Sequence, residues 1–172
     1  MTSIIMLFIG LLVGWFISRS KREMTPNPFE IFYATVVLIS IGFGSILFGF
    51  IPHLFLSDQI ARNIGWPTGS PFQLEVGMHD GSWGILGLLS YKYRKGFIQA
   101  TVIGFSVFLI MAGGNHLREM IVLGNYSPYN VQFILGDLVP AVVFLMLAYY
   151  YSKHQSDNGP TEDNNLGTAG IV

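Results

Sequence analysis

The stretch FEIFYATVVLISIGFGSILFGFIPHLF, residues 29–55, decides the fold of this chain. The second residue of this stretch, Glu30, is its only Asp, Glu, Lys or Arg residue. A helix needs about 20 consecutive apolar residues to cross the hydrocarbon core of a bilayer. This stretch is long and apolar enough to do so, and it therefore predicts a transmembrane helix.

The rest of the chain repeats this pattern. Further apolar runs cover residues 3–18, 72–91, 97–123 and 129–151. Only 11% of the 172 residues are charged, whereas an ordinary soluble domain carries roughly 25%. The sequence therefore predicts an all-α, polytopic transmembrane helical bundle in contact with membrane lipid.

The apolar runs divide the chain into three parts. Residues 28–152 are predicted to form a four-helix transmembrane bundle. Residues 1–18 are predicted to form an N-terminal transmembrane anchor helix that packs outside the four-helix core. Residues 153–172 are polar, with scattered acids, Asn and Gly. That composition is typical of a disordered tail.

Basic residues predict the orientation. If all five segments span the membrane, seven of the nine Lys and Arg residues lie on one side: Arg19, Lys21, Arg22, Lys92, Arg94, Lys95 and Lys153. The positive-inside rule makes that side cytoplasmic. We therefore expect a cell-membrane protein with its N-terminus outside and its C-terminal tail in the cytoplasm. The net charge of −1 gives no indication of nucleic-acid binding.

Small residues predict how one helix packs. Gly77, Gly81 and Gly84 recur along one face of the run 72–91. Small residues let transmembrane helices approach one another closely, so we interpret these glycines as packing positions. The stripe formed by Glu75 and His79 points away from this glycine face.

Polar residues inside the apolar runs require an explanation, because a charge in the hydrocarbon is costly. At a rise of about 1.5 Å per residue, these residues fall in the outer half of the membrane. Glu75 shares a helix face with His79, as His116 does with Glu119. The candidate ligand-binding residues are Glu75, His79, Asn115, His116, Arg118, Glu119 and Asp137. Arg118 is the expected counter-ion.

Three interpretations of this cluster stay open. It is a structural network that fixes helix register, a pocket for a ligand or ion, or the ligand set of a metal. Carboxylates with imidazoles suit iron, zinc or manganese, and the candidate metal ligands are Glu75, His79, His116 and Glu119. A non-haem metal ion is favoured over haem or a quinone. The lack of cysteine excludes iron–sulfur clusters and thiolate metal sites.

Asp80 and His53 are polar residues that we expect to lie outside the candidate site. Asp80 lies about 100° around the helix from His79, and we expect it to face lipid headgroups or the run 29–55. His53 follows Pro52 near the outer surface and is interpreted as a solvated interface residue.

A family resemblance rests on the start Pro-Phe-Gln-Leu-Glu at Pro71–Glu75, the glycine-rich continuation to Gly87, and the acid at Asp137. With these features, residues 28–152 resemble the DoxX-like group of small four-helix membrane proteins. The resemblance implies a four-helix bundle and permits association with a respiratory complex. It implies no catalytic residue.

Three functions are consistent with these features. The first is a binding or accessory subunit of a membrane complex, with an outward-facing acid and histidine pocket. The second is a metal- or quinone-dependent membrane oxidoreductase subunit. The third is a proton or ion pathway formed by an oligomer. The expected partners are a membrane protein or further copies of this chain.

Overall fold

A computed structural model describes residues 1–25 and 27–157, and over these residues the chain is an all-α bundle without strands. This confirms the predicted fold class. The helices are α1 (Thr2–Ser20), α2 (Pro28–Phe55), α3 (Ser57–Ile64), α4 (Phe72–Ser90), α5 (Gly96–Leu123) and α6 (Pro128–Asp157). Helix α6 continues past residue 152, so the predicted tail starts as helix, and its remainder from residue 158 lies outside the described residues.

Helix α2 is capped at its start and widened in its middle. The Asn27 side chain accepts a hydrogen bond from the backbone N–H of Glu30 at 3.1 Å, and Pro28 occupies the first turn. Such a start satisfies a free N–H of the helix end. Two stretches, Leu38–Phe43 and Ile46–Phe50, are π-helical. Wider turns of this kind often occur at functional sites.

The glycines of α4 are packing positions, as predicted, and the helix that they pack on is α2. Gly77, Gly81, Gly84 and Gly87 are all buried. A Cβ atom on Gly87 would collide with the backbone of Gly42 in α2. The two backbones therefore approach as closely as two glycines allow, and α4 is fixed in register against α2.

Helix α1 forms part of the bundle wall. Its Gly10 and Gly14 lie against the α2 backbone, and Leu7 belongs to the buried core. The hydroxyl of Ser40 in α2 donates to the carbonyl of Met6 at 3.2 Å. The predicted place of this helix is outside the four-helix core. In the structure its small residues let it pack closely on α2.

The short helix α3 connects α2 to α4 and buries Ala61 and Ile64. It ends at Gly65, which has a left-handed φ of 83°. The Asn125 side chain, between α5 and α6, donates to the carbonyl of Ile64 at 2.9 Å. This bond ties α3 and the following Trp66 to the end of the bundle where α5 and α6 are joined.

Within the described residues, α1, α2, α5 and α6 are long and apolar enough to cross a membrane. Large apolar side chains are exposed along these helices, which is compatible with an integral membrane protein in contact with lipid. Helix α4 falls outside this group and carries Glu75, His79 and Asp80.

Candidate functional site: a cavity inside the helix bundle

A cavity of about 300 Å³ lies between the long helices. Each of the five contributes to its wall, for example through Met6 of α1, Ser45 of α2, Asp80 of α4, His116 of α5 and Asp137 of α6. Small-molecule sites in proteins typically occupy roughly 300–1,000 Å³. The cavity therefore has the size of a site for a small ligand.

Most of the wall is apolar, and much of it is aromatic. The aromatic residues are Phe48, Trp66, Phe72, Phe105, Phe108, Phe133 and Phe144. Phe105 and Phe144 meet edge to face with ring centroids 6.1 Å apart. The Trp66 ring lies nearly parallel to His116, with centroids 5.6 Å apart. These rings give the cavity a stiff lining.

Asp80 points from α4 towards α2. A Cβ atom on Gly49 would lie 2.5 Å from Asp80 Oδ2, so only glycine at position 49 leaves room for this carboxyl group. Asp80 lines the cavity. Over residues 1–25 and 27–157, its carboxyl group makes no hydrogen bond and no ion pair.

Asp137 lies on α6 beside Gly113 of α5, where a Cβ would be 3.2 Å from the Asp137 Cβ. It also lines the cavity, near enough to Asp80 for the two carboxyl groups to interact electrostatically. The following Pro140 has no N–H, so the carbonyl of Gly136 lacks its usual helical donor. The amino group of Met1 lies beside this part of α6, where a Cβ on Gly136 would be 3.5 Å from the Met1 nitrogen.

His116 is held in one orientation by Asn130. Its Nδ1 lies 2.8 Å from Asn130 Oδ1, while the Asn130 amide nitrogen donates to the carbonyls of His116 and Asn125 at 3.1 and 2.9 Å. Because both amide hydrogens are used, Oδ1 is the acceptor and His116 Nδ1 is the donor. In the neutral imidazole, Nε2 is then an acceptor. In the described part of the chain it makes no hydrogen bond, and His116 is 7% exposed and lines the cavity.

Ser45 adds a hydroxyl group to the wall. Helical Thr35, Ser90 and Ser106 each donate to the carbonyl four residues earlier, at 2.7–2.8 Å. Ser45 lies between the two π-helical stretches and makes no such bond, nor any other among the described residues. It is 8% exposed and lines the cavity. Its hydroxyl group is therefore available to a bound molecule.

The structure brings three of the seven predicted ligand-binding residues to the cavity: Asn115, His116 and Asp137. Glu75 and His79 are exposed on α4, where His79 accepts a hydrogen bond from Trp83 at 2.9 Å. The reason is the glycine face. The face packed on α2 is the one that looks into the bundle, so side chains pointing away from it look outward.

Arg118 and Glu119 also lie away from the cavity lining. The Arg118 side chain is 59% exposed and pairs with the adjacent Glu119 at 3.8 Å. Glu119 in addition accepts a hydrogen bond from the Asn125 side chain at 3.5 Å. Arg118 therefore pairs with Glu119, one of the acids for which it was the expected counter-ion, and this pair lies outside the cavity lining.

The predicted metal ligands do not converge. Among residues 1–25 and 27–157, no three His, Asp or Glu side chains are grouped closely enough to hold a metal ion. Glu75 and His79 are exposed on α4, His116 is bound to Asn130, and Glu119 is paired with Arg118. In the described part of the chain these four residues form no shared cluster, and metal binding stays a prediction.

Sequence reasoning missed several residues of the wall. Asp80 stands three residues after Gly77 and four before Gly84, which places it on the glycine face, and this spacing was the available signal. His53 is hydrogen-bonded through Nδ1 to the buried Gln73 at 2.7 Å, and it lines the cavity. It is therefore part of the interior rather than a solvated interface residue.

Fold and site together define a small all-α protein of membrane type with a partly polar cavity inside its helix bundle. The chain belongs to a family of unknown function, DUF6790, whose model matches residues 1–157. No solved structure matches the chain. The resemblance to DoxX-like proteins rests on architecture, since the family match adds nothing specific to that group.

Replacing Asn130 by leucine is expected to destabilise the protein. The change leaves His116 Nδ1 and two backbone carbonyls without their partner, at a cost of roughly 1–3 kcal/mol for each buried group left unpaired. Thermal unfolding in mild detergent would measure the loss. Gln132→Leu, an exposed position on the same helix, is the matched control and should unfold like the wild type. Equal unfolding temperatures for both variants would contradict the assigned role of Asn130.

Proposed function

We propose that this protein binds a small amphipathic molecule in the cavity between its long helices. The observation that carries the proposal is the combination of an aromatic wall with polar groups that have no partner in the described chain. Ligand sites generally have this composition, in which apolar surface supplies affinity and a few polar groups fix orientation.

The unpaired groups favour ligand binding over a purely structural network. In a structural network the buried polar groups bond to one another, because an unpaired buried group costs about 1–3 kcal/mol. Asn130 and His116 Nδ1 meet that description. Ser45, Asp80 and Asp137 have no hydrogen-bond partner among the described residues, and they all line the same cavity. Their polar atoms are accessible from that cavity, since no fully buried side-chain nitrogen or oxygen of the described chain lacks a partner. A bound molecule could therefore pair with them.

The position of the cavity supports an outward-facing site. Its wall comes from the first turns of α1, the middle and second half of α2, the first half of α4, the middle and second half of α5, and the first half and middle of α6. All of these lie at the end of the bundle that carries α3. The basic residues 19–22 and 92–95 lie at the other ends of these helices. By the positive-inside rule, the cavity belongs to the outer half of the membrane.

A cavity-filling substitution tests this proposal. Ala112→Phe places a ring in the cavity wall, whereas Ala100→Phe adds the same ring to an exposed position on the same helix. The probes are a matched ammonium, alcohol, carboxylate and short-chain quinone, and the readout is the ligand-induced rise in unfolding temperature in mild detergent. A ligand at 100 times its Kd stabilises the native state by about 2.7 kcal/mol.

We expect at least one probe to raise the unfolding temperature of the wild type and of Ala100→Phe in a saturable manner. Ala112→Phe should lose this shift, because its ring occupies the ligand's space. The absence of a saturable shift with every probe, or a shift that survives in Ala112→Phe, would rule out ligand binding in this cavity.

A further inference from the structure

We infer that the molecule bound in the cavity is an organic cation, an ammonium group with N–H donors attached to an aromatic or aliphatic body. This inference rests on the proposed function and specifies its ligand class. It is carried by the cavity itself, by the two carboxyl groups that face it, and by two unpaired polar side chains, each more than nine-tenths buried, that line it.

Several polar groups of the wall are acceptors without a partner among the described residues, and Thr2, Ser3 and Asn115 add donors. A carboxyl group that faces a bound cation is ionised and only accepts, and the carboxyl groups of Asp80 and Asp137 both face the cavity. The Asn130 contact makes His116 Nε2 an acceptor as well, and His116 is 7% exposed. Ser45, 8% exposed, adds a hydroxyl group that accepts or donates. A ligand rich in donors satisfies these groups, whereas a ligand that only accepts leaves them unpaired.

The charge of the wall points the same way. No lysine or arginine of the described chain lines the cavity, and Arg118 is turned outward to Glu119. The Met1 ammonium lies near enough to Asp137 to interact with it electrostatically, whereas Asp80 has no such positive partner among the described residues. Two carboxylates that share one cavity repel each other, and the charge on Asp80 remains uncompensated. A cation between Asp80 and Asp137 is attracted by both, and it links α4 to α6.

The aromatic lining indicates an organic rather than an inorganic cation. Metal cations in proteins take several oxygen or nitrogen ligands. Within the described residues, no three Asp, Glu or His side chains lie close enough together to hold a metal ion. The faces of aromatic rings attract organic ammonium groups and also pack against an apolar body. Seven aromatic residues surround the cavity, so both parts of such a ligand find a matching surface.

Matched pairs of probes test the ligand class. Each pair is an ammonium and the corresponding alcohol, with a phenylethyl body in one pair and a naphthylmethyl body in the other. Affinity is measured by calorimetry in mild detergent at constant pH and ionic strength. The variants are Asp80→Asn and Asp137→Asn, which keep side-chain size. The control is Glu75→Gln, at an exposed acid of the same helix as Asp80 and outside the cavity lining.

We expect the wild type to bind each ammonium at least about tenfold more tightly than its alcohol, because hydrogen bonds to charged groups exceed neutral ones in strength. Asp80→Asn and Asp137→Asn should each reduce this preference by about tenfold or more, and Glu75→Gln should leave it unchanged. The wild-type comparison decides the ligand class even if a variant fails to fold.

Two results would overturn the inference, and they differ in their consequences. Alcohols that bind as tightly as ammonium probes, or an ammonium preference that survives both Asp variants, would refute the cationic ligand while leaving a binding cavity intact. If neither member of either pair binds the wild type, the proposed function fails together with the inference.

Discussion

Substitution of Gly87 by alanine is expected to lower the free energy of unfolding by about 1–3 kcal/mol or more, the range of overpacking in a filled core. The new Cβ would collide with the backbone of Gly42 and would lie 2.8 Å from its Cα. A backbone atom cannot move aside as a flexible side chain does. Helices α2 and α4 must therefore separate, and the cavity wall that they share must shift with them.

Alanine substitutions at two other glycines provide the comparison for the loss of stability expected of Gly87→Ala. A Cβ on Gly84 would first meet a side-chain atom of Ile46, at 2.5 Å, so Gly84→Ala should cost less than Gly87→Ala. Gly114 is exposed on α5 with nothing within 4 Å of its Cβ position, so Gly114→Ala should be neutral or slightly stabilising. Unfolding in mild detergent measures the series. A variant at Gly87 as stable as the one at Gly114 would contradict the close approach of α2 and α4.

The fold class could be predicted from the sequence because it depends on the length, polarity and residue spacing of individual segments. The run 29–55 has the length and polarity of a membrane span whatever surrounds it, and it forms α2. The glycine spacing on α4 predicted a packing face for the same reason, since a face needs only the helical period. The bundle class follows from these two kinds of signal.

Only part of the candidate site could be predicted from the sequence. The depth of a residue in the membrane and the direction of its side chain depend on different properties. Counting residues along a helix gives depth, and His116 and Asp137 do lie together at the cavity. Direction depends on which face the neighbouring helix covers. Asp80 shares the glycine face and points inward, whereas Glu75 and His79 do not. The glycine spacing identified the packing face, but the acid and histidine predicted for the site lie on the opposite face of α4.

Other features of the site arise from contacts that no local pattern specifies. The Asn130 amide is fixed by two carbonyls of the α5 end and the following connection, and this alone sets the donor and acceptor roles of His116. The π-helical stretches of α2 rotate Ser45 relative to a regular α-helix. Neither could be derived from helical spacing, so Ser45 was absent from the predicted site.

The central claim is that a small molecule can occupy the space inside the bundle, and cysteine labelling tests it most directly. The sequence contains no cysteine, so Ser45→Cys introduces the only thiol. Ser45 lines the cavity, whereas Val37, on the same helix, is fully buried in the packed core. Val37→Cys is therefore the matched control. Gln59→Cys, at an exposed position of α3, gives the upper limit of the labelling rate.

The reagent is 2-aminoethyl methanethiosulfonate, which is small and carries an ammonium group. A thiol in the packed core reacts only after local opening, and an opening cost of about 3 kcal/mol slows labelling by roughly 100-fold. We predict that Ser45→Cys reacts at least about 100-fold faster than Val37→Cys and more slowly than Gln59→Cys. A thiol at position 45 that reacts as slowly as one at position 37 would contradict the presence of a ligand-accessible cavity.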